Sequence, residues 1–133
     1  MGAAALWVFI GGGLGSLARW GVSAWMARQF GLTFPFGTLF VNTTGSFVIG
    51  FVAAIAGPEG KWLAPYSARQ FILAGLCGGY TTFSSFSLET MNLAREGRWL
   101  LAFLNASGSF VLCMLAVGLG HLTGMALNAS KGR

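Results

Sequence analysis

Four stretches of the chain, at residues 3–27, 36–56, 68–93 and 99–126, are each apolar and long enough to cross a bilayer. A hydrocarbon core about 30 Å thick needs about 20 helical residues. Lipid offers no partner to a free backbone N–H or C=O, which leaves helices as the natural form for segments of this length. Charge and proline gather between the stretches: Arg28 and Pro35 after the first, Gly57-Pro58-Glu59-Gly60-Lys61 and Pro65 after the second, and Arg95, Glu96 and Arg98 after the third. Within them, Arg19 interrupts the first, the second carries no charge, and the third has Arg69 at its start and Glu89 near its end. Trp7, Trp25, Trp62, Tyr66 and Trp99 lie near the ends, where aromatic belts meet the membrane surface.

Composition narrows the function classes. Of 133 residues, 55% are hydrophobic and 8% are charged, against about 25% charged in an average soluble domain. So few charges cannot coat a soluble globule. That argues against a soluble enzyme and, despite a net charge of +5, against a nucleic-acid binder. The expected fold is an all-α integral membrane protein, a single domain over 1–133 with four transmembrane helices. The first stretch is not read as a cleaved signal, since it lacks a basic start and runs on too far. Cys77 and Cys113 lie in apolar surroundings without metal-ligand spacing and are expected to be inert thiols.

Four spans place both termini and the 59–66 connection on one side, with Lys61, Arg69, Lys131 and Arg133. Arg28, Arg95 and Arg98 fall on the other. The Lys/Arg bias that normally orients a membrane protein is nearly absent. Either a helper sets the orientation or the chain inserts both ways, which would allow an antiparallel dimer. Transporters often build that symmetry from inverted repeats in one chain, but this chain is too short to hold its own inverted partner.

Polar residues mark possible pathways. Thr38, Asn42 and Ser46 recur at i, i+4 and i+8 on one face of the second span, and Asn105, Ser109 and Cys113 do the same on the fourth. Such residues either glue helices together or line a path. Asn42 stands out, because an amide near mid-span must find partners. The third span carries the strongest local signal, Gly78-Gly79-Tyr80-Thr81-Thr82-Phe83-Ser84-Ser85-Phe86. Paired glycines and threonines make a poor helix core, so a break is expected near residues 78–82. A break frees carbonyls that could hold a cation and N–H groups that could favour an anion. Phe83 and Phe86 share a face of the following half-helix, and ring edges carry positive charge. Arg19 either snorkels to the surface or forms a positive vestibule. Glu89 is expected to pair with a basic neighbour or cap a helix, and His121 to be structural. No nucleophile–base–acid set is present, so no enzyme is expected.

Gly11-Gly12-Gly13-Leu14-Gly15-Ser16-Leu17-Ala18-Arg19, Gly37-Thr38-Leu39-Phe40-Val41-Asn42, and the run from Gly78 to Ser87 with Glu89 resemble, in order, the motifs of the Fluc/CrcB fluoride channels. The resemblance implies an antiparallel, dual-topology homodimer in a prokaryotic plasma membrane (the inner membrane of a Gram-negative cell). Such a dimer exports fluoride passively through two pores. It implies that Asn42, Thr38, Phe83, Phe86 and Ser109 line the fluoride pathway and that Arg19 stands near the vestibule. It also implies that backbone carbonyls of Gly78 and Thr81 hold a structural sodium ion. Asn105 and Cys113 stand where relatives carry hydroxyls on a polar track. Fluoride is strongly hydrated, and N–H and O–H donors could replace its water without trapping it. The rival readings are a small multidrug-resistance-type antiporter, which would ask for a carboxylate early in the chain, and a non-transporting membrane assembly subunit.

Overall fold

The computed structural model describes residues 2–57, 60 and 62–130. Within them the fold is helical: α1 (Gly2–Phe30), α2 (Phe36–Ala56), α3 (Tyr66–Gln70), a π-helical stretch (Phe71–Cys77), α4 (Gly78–Tyr80), α5 (Phe83–Arg95) and α6 (Trp99–Ser130). From Tyr66 to Arg95 these pieces form one interrupted span, so four helical segments are long and apolar enough to cross a membrane. Lys61, Lys131 and Arg133 of the orientation count, and Pro58 and Glu59 of the second connection, lie outside the described residues.

Most large apolar side chains point outward, as lipid permits and water does not; Phe9 and Trp20 are about three-quarters exposed. What holds the interior together is close backbone contact. α1 runs parallel to the third span, with Gly11 against Gly75 and Gly15 against Gly79. A Cβ on Gly75 would stand 3.0 Å from the Gly11 Cα, and one on Gly79 would stand 2.9 Å from the Gly12 Cα. This is small-xxx-small packing on both helices, which compensates for the missing hydrophobic drive between helices in lipid. Trp7 closes the same seam edge-on against Phe71, ring centroids 5.9 Å apart. α2 and α6 form the second parallel pair, with Gly50, Gly120 and Gly124 as its contact points.

The connections follow local chemistry. α1 gives way at Gly31, whose φ of 75° suits a residue without a Cβ. α5 closes with Gly97 at φ 76°; Gly97 N–H bonds to the Ala94 carbonyl at 3.0 Å and Arg98 N–H to Leu93 at 2.9 Å. That pair of bonds is the Schellman pattern. The Arg98 guanidinium then donates to the Thr33 carbonyl and pairs with Glu96, tying the two turns on this side together.

Candidate ion pathway

The third span breaks at Thr81 and Thr82. Both adopt extended backbone (φ −81°, ψ 156° and φ −152°, ψ 117°) between helical neighbours. Asn42, facing the gap from α2, holds it open. Its Nδ2 donates to the Thr82 carbonyl at 2.9 Å, and its Oδ1 accepts from the Thr82 N–H at 2.7 Å. Because a backbone N–H can only donate, the amide orientation is set by the network. Thr82 also caps α5, its Oγ1 accepting from Ser85 N–H at 3.2 Å.

These bonds have a consequence for the carbonyls. In an unbroken helix Thr82 N–H would close on Gly78 C=O, and Ser85 N–H on Thr81 C=O. Here Asn42 takes the first and the Thr82 hydroxyl takes the second. Gly78 and Thr81, the pair expected to hold sodium, are therefore among the carbonyls that lose their helical donors at the break, with Gly79 and Tyr80 between them. The Thr81 side chain bonds back to the Cys77 carbonyl at 2.9 Å and leaves its own carbonyl alone. Free oxygens of this kind suit a hard cation. Gly78 lies on the exposed surface of the single chain.

Beside the break is a groove of about 540 Å³. Asn42 and Ser46 of α2, Thr81, Thr82, Phe83 and Phe86 of the third span, and Ser109, Phe110 and Cys113 of α6 line it. Among the described residues, no charged one does. The structure thus brings Asn42, Phe83, Phe86 and Ser109 to one wall. The rings of Phe83 and Phe86 lie 5.4 Å apart at 50°, and Phe83 is 78% exposed, projecting from the protomer.

Other expected residues fall elsewhere. Thr38 is buried and lines a second cavity of about 370 Å³ with Glu89, Glu96 and Arg98, at the end where the 31–35 and 96–98 turns meet. Its hydroxyl donates to Glu89 Oε1 at 2.8 Å, so its one proton is already committed. Glu89 takes that hydroxyl as its partner rather than a basic neighbour, and its Oε2 is buried without a hydrogen bond. Arg98 lines the same cavity, but its guanidinium goes to the Thr33 carbonyl and Glu96 instead. Asn42 has only one N–H left beyond its two bonds to Thr82. Arg19 is half-buried, lines neither cavity, and makes no ion pair or hydrogen bond among the described residues. It sits one turn beyond Ser16, whose hydroxyl is 3.5 Å from the Gly79 carbonyl. His121 is exposed.

Two functional side chains escape a reading of the sequence. Thr82 is recognisable afterwards as an N-cap preceding a short polar turn. Thr90, on α5, accepts from Asn105 Nδ2 at 2.8 Å and has no signal of its own in the sequence.

Comparison with known proteins places the chain in a family. Residues 6–121 match the family described as CrcB-like protein, Camphor Resistance (CrcB). The chain belongs to the CrcB family. It is 50% identical over 127 residues to the fluoride-specific ion channel FluC of Opitutus terrae, covering 96% of each chain. It is also 50% identical over 127 residues to FluC of Methylocella silvestris, covering 96% of this chain and 97% of the relative. FluC 1 of Rhodopseudomonas palustris is 51% identical over 131 residues, covering 97% and 93%.

Proposed function

We propose that this CrcB-family protein is a passive fluoride-selective channel, multi-pass in the plasma membrane of a prokaryote, and not an enzyme. The observation that carries the reading is the groove beside the third-span break, lined among the described residues by no charged group, where Asn42 with a spare N–H, hydroxyl-bearing side chains and two phenylalanine rings meet. Such a wall replaces an anion's water by donors of modest strength. An arginine at the same place would hold the ion too tightly for it to leave. The N-terminus of α5 adds a partial positive charge at the break.

The working unit in this reading is an antiparallel homodimer with two pores. Phe83 supports it: among the described residues, the only ring packed against this exposed mid-span phenylalanine is Phe86. The Gly78 and Thr81 carbonyls of both copies would hold a sodium ion, which supplies fixed positive charge at the dimer centre. Thr38 and Glu89 stand at the end of the path, and Arg19 near its mouth attracts anions from solution.

The deciding experiment is ion release from liposomes containing the purified protein. Rapid fluoride release with chloride retained is the expected result. Equal release of both, or of neither, would rule the function out.

A further inference from the structure

The buried amide of Asn105 belongs to neither cavity, yet it touches the groove wall through its neighbour. At 1% exposure it is one of the two most buried side chains of any size among the described residues. Its bonds form a chain with one possible direction. The Phe86 carbonyl can only accept, and the Thr90 hydroxyl donates to it at 2.7 Å. With its proton spent there, Thr90 must accept from Asn105 Nδ2 at 2.8 Å. That bond turns the amide oxygen toward Ser109, whose hydroxyl donates to it at 3.4 Å. The proton of Ser109, a groove residue, is thereby aimed away from the groove.

From this chain we infer that Asn105 is a positioning residue for the anion path: anchored through Thr90 on the Phe86 carbonyl, it holds the Ser109 proton, which an entering anion must take from it. The last link is the longest, and hydrogen bonds weaken steeply toward such distances. It is the link that yields first. Donation to an anion then leaves the Asn105 oxygen buried and unpaired, which costs free energy. The arrangement keeps Ser109 from becoming a trap, and it couples the donor to the helix that carries Phe86. The inference rests on the channel reading, and it assigns no contact between Asn105 and the ion itself.

Thr90→Val tests it without touching a groove-lining residue. Losing the Thr90 hydroxyl frees the amide to turn, offer its N–H to Ser109, and leave the Ser109 proton to the groove. In liposomes the fluoride concentration giving half-maximal release is expected to fall about three- to tenfold, the equivalent of roughly one net hydrogen bond. Thr90→Ser, which keeps the hydroxyl, restores the original value, and in a Ser109→Ala background Thr90→Val has no further effect. An unchanged half-saturation in Thr90→Val, or the same shift with Ser109 absent, overturns the inference. A second readout does not depend on transport: the side-chain amide NMR signals of Asn105 in detergent, assigned by their loss in Asn105→Leu. They are expected to move in Thr90→Val and in Ser109→Ala but not in Thr90→Ser. Were the unaltered protein to release no fluoride, the channel reading would fall. The amide signals would still decide whether the chain exists, and immobile signals in both variants would end the inference by themselves.

Discussion

At the scale of single residues, Asn42 and Phe83 separate stability from conduction. The Asn42 amide bonds to both backbone polar groups of Thr82 at the break, so Asn42→Ala leaves the Thr82 N–H without a partner, while its carbonyl keeps the first intrahelical bond of α5. An orphaned buried group costs about 1–3 kcal/mol, and unfolding in detergent titrated with denaturant is expected to shift by at least that much, with fluoride release lost as well. Phe83 contributes the opposite result. With 78% of it exposed on the single chain, Phe83→Ile removes little packing within the protomer. Unfolding is expected to be unchanged while fluoride release from liposomes falls sharply, because the polarised ring edge has gone. Full release by Phe83→Ile would make the ring ordinary packing. The sequence pointed to both residues, Asn42 by the cost of an amide in lipid and Phe83 by its phase with Phe86. It could not show that Asn42 faces a backbone rather than open space, since only the fold brings α2 to the break. Nor could it show that Thr38 gives its proton to Glu89 across separate helices.

Among elements, the interrupted span depends on the glycine seam that presses it against α1. A Cβ on Gly79 would stand 2.9 Å from the Gly12 Cα, backbone that cannot yield as a flexible side chain would. Overpacking of this kind costs about 1–3 kcal/mol. Gly79→Ala is therefore expected to lower the unfolding midpoint and to weaken fluoride release, because the break lies just beyond it. Gly13→Ala on the open face of α1, where a Cβ meets nothing within 4 Å, is the control expected to change neither. A destabilised Gly13→Ala, or an indifferent Gly79→Ala, would show that the seam is not what seats the break. The four spans were legible because hydrophobic length and the placing of charge follow directly from the bilayer. The break was legible because paired glycines and threonines favour no helix. The π-helical stretch from Phe71 to Cys77 was not: no residue pattern within it marks a departure from ordinary helix. The contact of Gly11 and Gly15 with Gly75 and Gly79 was not legible either, since which helix meets which is decided only by the packed whole.

For the whole molecule, the proposed architecture is a pair of inverted copies. A chain with so little charge bias can insert either way. In the proposed dimer, the surface around Phe83 and Gly78, exposed on the single chain, would be covered by an inverted second copy. Orientation is directly measurable at Leu63, which is 94% exposed in the second connection. In a Cys77→Ala, Cys113→Ser background, Leu63→Cys in sealed membrane vesicles is expected to react with a membrane-impermeant maleimide to about half its full extent. The remainder should react only after the vesicles are opened. Leu32→Cys, 88% exposed in the turn at the opposite end of the bundle, should behave in the same way, since each orientation presents one of the two sites outward. Complete labelling of one position with none of the other would mean that every copy stands the same way up. The two sets of released Gly78 and Thr81 carbonyls could not then be related by an axis in the membrane plane, and the two-pore arrangement would have to be abandoned even if fluoride still crossed.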